Sequence, residues 1–79
     1  MTTHQACLFD AGQSLKERAR EAVRTRNAMS KGARDRVYQD GRVMAFNEAI
    51  SILQQTAKGL GLPLADLRLH DIAPDRELT

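Results

Sequence analysis

The chain has 79 residues, a net charge of +2, one cysteine and only 4% aromatic residues. That length holds a single small domain and leaves little room for an enclosed pocket, and Cys7 alone excludes an intrachain disulfide. No apolar run approaches the ~20 residues that span a bilayer, and the opening MTTHQACLFDAGQ lacks the basic and apolar regions of a signal peptide. A cytoplasmic protein is therefore expected.

Residues 1–13 show no period and read as an irregular N-terminal arm, with Leu8 and Phe9 able to dock on the helices. The domain proper is expected over 14–79. His4 and Cys7 have H-x-x-C spacing, but a structural metal needs four ligands and the only other histidine is His70. No metal and no cofactor are expected. Ser14 and Glu17 match a capping box and open a helix over 14–29. Its apolar stripe, Leu15, Ala19, Ala22, Val23 and Met29, is narrow. Nine of the twelve Lys and Arg lie between Lys16 and Arg42. Within them, Lys16, Arg20 and Arg24 form a row at i, i+4 and i+8. Such a row either meets phosphates or an acidic partner, or is neutralised by neighbours such as Glu17 and Glu21. Gly32, in the left-handed conformation, is expected to close the turn after this helix.

The stretch from about 33 to 60 predicts a second, longer helix. At 100° per residue, Tyr38, Ala45, Ala49, Ile52, Leu53 and Leu60 share one broad face, and Val43, Phe46, Ile50 and Ala57 extend it. The arc covers roughly half the circumference, more than the stripe of a surface helix. Asn47, Glu48, Ser51, Gln54, Gln55 and Lys58 take the other side, in water. Gly41, Ala45 and Ala49 form a row of small residues that lets another backbone approach. Arg42 points into the apolar arc, so it must pair with a carboxylate (Asp35, Asp71 or Asp75), snorkel to water, or face an interface. Gly59, Gly61 and Pro63 end the helix. Leu64, Leu67, Leu69, Ile72 and Leu78 then fold back as a short helical turn. The expectation is all-α: an antiparallel helical hairpin with a C-terminal turn packed on it.

Two segments resemble known groups. Thr56–His70 resembles the helix-turn-helix of bacterial DNA-binding regulators through Ala57, Gly61, Leu62 and Leu67, which implies DNA binding. It departs at the would-be recognition helix, where Leu64, Ala65 and Asp66 offer nothing to base edges and only Arg68 is basic. The second half also looks like small bacterial helical proteins with a G-R-x-x-A-aromatic-x-E helix. The matching residues are Gly41, Arg42, Ala45, Phe46 and Glu48, followed by Gln54 and Gln55. The ending Ala73-Pro74-Asp75-Arg76 matches except at Ala73. That resemblance implies no activity.

No Gly-rich phosphate loop, metal-ligand cluster or Ser/His/Asp set is present, and the adjacency of His70 and Asp71 does not orient a base. The sequence therefore points away from an enzyme and toward a helical protein–protein interaction or regulatory module. Such a module self-associates through helix two as a homodimer, or takes another protein as partner. Gly41, Arg42, Ala45, Phe46, Ile50 and Leu53 are the expected interface, centred on Phe46 and Ile50. The alternative is a nucleic-acid-binding regulator using Lys16, Arg20 and Arg24 or the helix-turn-helix-like segment.

Overall fold

The computed structural model describes all 79 residues. Helix α1 spans Thr3–Asn27 and helix α2 spans Arg34–Gly59. They pack together as a hairpin. A 3-10 turn (Leu64–Leu67) and a final short helix α3 (Pro74–Glu77) lie against one side of it.

The N-terminal arm expected over 1–13 is instead the first half of α1. Thr2 caps the helix: its hydroxyl accepts from the Gln5 amide at 3.1 Å, and Gln5 Oε1 accepts from the Thr2 amide at 2.7 Å. This is a complete capping box. Nothing between Thr2 and Ser14 breaks a helix except Gly12, so the chain starts at the earlier cap. Ser14 becomes an exposed mid-helix residue, and Glu17 accepts from Gln13 instead.

Phe9, Gly12, Lys16, Ala19 and Val23 recur along α1 at alternating spacings of three and four, and all are buried or half-buried. Gln39, Val43, Phe46, Ile50, Leu53 and Ala57 do the same along α2. These are heptad seams, of the kind that holds two helices nearly antiparallel. The α1 seam offers few large apolar residues: Gly12 and Ala19 are small, Lys16 is charged, and Phe9 and Val23 are only half-buried. The core accordingly takes only Ala19 and Ala22 from α1, against Val43, Ile50 and Ala57 of α2 and Leu67, Leu69, Ile72 and Leu78 of the C-terminal segment.

The first turn is not closed by a left-handed Gly32; the only glycine with positive φ is Gly61. The guanidinium of Arg36 closes it, donating to the carbonyls of Arg26 at 3.2 Å and Met29 at 2.8 Å. A side-chain cation can satisfy the last carbonyls of a helix as a glycine turn would. The end of α2 agrees with the sequence expectation. Gly61 sits at φ 70°. Its amide donates to Lys58 O, and the Leu62 amide donates to Ala57 O at 2.8 Å. That pair of bonds is a Schellman motif, and it turns the chain back along the hairpin.

The returning segment comes very close to α1. A Cβ placed on Gly12 would lie 1.7 Å from the carbonyl oxygen of Leu67. The glycine is thus fixed by the approach of a backbone. Gly12→Ala is expected to lower stability by at least about 1–3 kcal/mol, the range for overpacking a tight contact. Gly59→Ala, whose Cβ meets nothing within 4 Å, should be neutral or stabilising by up to about 1 kcal/mol. Urea unfolding of the two variants measures the contrast.

Candidate interaction surface

The hairpin has two flat sides, and the C-terminal segment covers one of them. It is held there largely by its backbone carbonyls. Asn47 Nδ2 donates to Pro74 O and Leu78 O, both at 3.0 Å. Gln54 Nε2 donates to Leu69 O at 2.9 Å and Ile72 O at 3.0 Å. Asn47 and Gln54 are seven residues apart, so they stand on one side of α2. Their expected place in open water is corrected: they are half-buried clasps. Polar residues at that spacing bordering the apolar arc were the signal in the sequence.

From α1, the Lys16 ammonium donates to Asp71 Oδ1 at 2.7 Å, and Arg20 Nη2 reaches Asp71 O at 3.0 Å and Glu77 Oε1 at 3.3 Å. Lys16 is 4% exposed while Asp71 is 49% exposed. The hydrogen bond from Lys16 is the main reason the Asp71 carboxyl is held below the usual carboxylate range; desolvation opposes it and the lysine charge adds to it. Arg24 pairs with Glu21 at 2.7 Å. Each member of the basic row therefore has a carboxylate partner within the chain.

The other side of the hairpin is bare. A groove of about 310 Å³ runs between the helices there, lined by Leu15 of α1 and by Arg42, Ala45, Phe46 and Ala49 of α2. Exposed apolar side chains continue it around α2. Tyr38 is 66% exposed and Ile52 is 62% exposed, and both share the bearing of Ala45. Gly41 is exposed with open space where a Cβ would stand. Leu53 and Phe46 are half-buried against the core.

Two expectations about this surface change. Ile50 is 0% exposed and lies in the centre of the core, so it has no surface to offer an interface; its bearing faces the covered side. Arg42 has no carboxylate partner. Its guanidinium donates to Gln39 Oε1 at 3.1 Å and lies 5.8 Å from the centroid of the Phe46 ring. Asp71, a proposed mate, is taken by Lys16. Gly41, Arg42, Ala45 and Phe46 lie on the bare side together with Leu15, Tyr38, Ala49 and Ile52.

No group of three His, Cys, Asp or Glu side chains is placed to hold a metal ion, and no helix is long and apolar enough to cross a membrane. Cys7 is exposed. No protein-family model, curated protein or solved structure matches the chain.

Removing Asp71 strands a buried ammonium, whereas removing Lys16 frees a carboxylate that is already half in water. Asp71→Ala should therefore destabilise more than Lys16→Met, which keeps the apolar stem in the seam. The depressed carboxyl also sets a sign. Its contribution is fully present above the ordinary aspartate value of about 3.9 and is lost as pH falls through the lowered folded-state value. Unfolding free energies measured down the acid limb should fall less steeply in Asp71→Asn than in the wild type. The clasp predicts a second contrast, between adjacent glutamines. Gln54→Ala strands two carbonyls and should cost about 1–3 kcal/mol. The exposed Gln55→Ala should stay within about 0.5 kcal/mol.

Proposed function

We propose that this protein is a non-enzymatic helical interaction module, and that it self-associates through the bare side of its hairpin. The observation that carries the reading is unspent surface. The chain exposes 5447 Å². A compact monomer of its mass exposes about 4,800 Å². Its radius of gyration is 13.9 Å, against roughly 12 Å for a compact chain of this length. The excess, roughly 650 Å² against that scaling, approaches the ~800 Å² each partner buries in a standard interface.

The composition of the bare side supports the same reading. It carries Tyr38, Ile52, Phe46 and Leu15 around small residues, with one arginine at the rim of the groove. Aromatics and arginine are the residues that anchor interfaces, and a contiguous exposed apolar patch marks association. A two-fold homodimer is the commonest way to close such a surface. The surface residues and the lone thiol agree with a small regulatory or adaptor role in a reducing compartment. Nucleic-acid binding has less behind it, because Lys16, Arg20 and Arg24 already have carboxylate partners.

Sedimentation at micromolar to high-micromolar concentration tests the reading. The wild type should sediment as a dimer. Tyr38→Glu and Ile52→Asp, both on exposed positions, should sediment as folded monomers. A wild type that stays monomeric at high micromolar concentration overturns the proposal. Ile50→Asp should unfold the protomer outright, since it places a charge in the core. The protein should also pass through immobilised duplex DNA at physiological salt; retention that falls steeply with added salt would favour the nucleic-acid alternative.

A further inference from the structure

The order of side chains along the bare edge of α2 carries one step more, resting on the self-association reading. From N- to C-terminus the edge presents Tyr38, Gly41, Ala45, Ala49 and Ile52. The sequence of sizes is large, small, small, small, large. It is symmetric about Ala45: Gly41 and Ala49 stand four residues to either side, and Tyr38 and Ile52 stand seven. All five lie within about 40° of the bearing of Ala45 on the helical wheel. Ala49 is half-buried and the other four are exposed.

We infer that a second copy of the chain docks against this edge with the two α2 helices antiparallel and Ala45 on the two-fold axis. In that register each Tyr38 lies against the partner copy's Ile52, and each Gly41 lies opposite the partner copy's Ala49. The three small residues at the centre let the backbones approach to the short end of helix-packing distances, about 8 Å between axes. The large residues at both ends then cover the shallow ends of the contact, roughly 21 Å apart. An isologous contact requires a surface that is complementary to itself, and this spacing supplies one.

Charge sets the orientation. The loop end of the hairpin, residues 24–36, carries Arg24, Arg26, Lys31, Arg34 and Arg36 against Asp35; with Glu21 and Asp40, which pair with Arg24 and Arg26, its side-chain charge is +2. The opposite end, residues 1–13 and 52–68, carries Asp10, Asp66, Lys58 and Arg68, which sum to zero. A parallel pair would set one +2 end beside the other. An antiparallel pair sets each beside a neutral end and opposes the two helix dipoles. The groove of Leu15, Arg42, Phe46 and Ala49 borders the same edge, so the partner's α2 also shields it.

Single cysteines in a Cys7→Ser background test the register. A disulfide requires Cα atoms within about 7 Å. Ala45→Cys should form a disulfide-linked dimer under mild oxidation. Tyr38→Cys alone and Ile52→Cys alone should not, because each lies about 21 Å from its own copy. Mixing Tyr38→Cys with Ile52→Cys should restore the cross-link. All three positions tolerate substitution, being on the surface, and circular dichroism confirms that each variant is folded. Self-linking of Tyr38→Cys would overturn the antiparallel register in favour of a parallel one. A sedimenting dimer in which Ala45→Cys fails to link would move the interface off this edge and leave self-association standing. A monomer in sedimentation sinks both.

Discussion

Two helices cannot enclose a core, so everything in this fold depends on holding the C-terminal segment against the hairpin seam. That segment has little regular structure of its own, and several of its carbonyls take their donors from side chains of the hairpin. Asn47 and Gln54 satisfy four of them from α2, and Arg20 satisfies a fifth from α1. With its backbone satisfied, the segment can bring Leu67, Leu69, Ile72 and Leu78 onto Val43 and Ile50. The tightness of the contact also dictates the composition of α1. Its seam carries Gly12 where the segment passes, because a larger residue there would push the segment away.

Covering one side of a two-helix layer leaves the other side uncovered. The molecule is only 16 Å across its thinnest extent and 46 Å along its longest. An apolar arc of half a helix circumference meets α1 on one bearing and the C-terminal segment on the next. The remaining third, around Ala45, has no occupant within the chain. The wide arc of α2 and the single covering segment are thus two aspects of one shortfall.

The same segment disposes of much of the basic charge. Lys16 and Arg20 stand on the covered edge of α1, where Asp71 and Glu77 arrive. The acidic end of the chain and the basic first helix therefore neutralise each other, and only the loop end of the hairpin keeps a marked positive excess. Arg68 ends the 3-10 turn in the left-handed region, at φ 57°. It is held there by the Phe9 ring, 4.9 Å away, and by Gln13 Oε1 at 3.3 Å. Both partners come from the first half of α1.

The sequence by itself determined what is local. Helical periodicity gave α2 its length and its overwide apolar arc, and the Gly61–Pro63 signal placed its end, because a left-handed glycine and a following proline admit few other conformations. Periodicity and the turn signals together were enough for an all-helical hairpin. The small row Gly41–Ala45–Ala49 was legible as well, since its spacing is fixed by the helix. The tertiary structure decided what depends on partners distant in the chain. Ser14 and Thr2 both carry capping sequences, and the docking of Phe9 and Gly12 against the 3-10 turn holds the helix that starts at the earlier one. Whether Gln54 faces water or a carbonyl, whether Arg42 meets an acid or a ring, and whether Ile50 is core or surface all turn on which bearing of α2 the last eighteen residues cover. That choice is made by packing between segments up to sixty residues apart, and no local spacing encodes it.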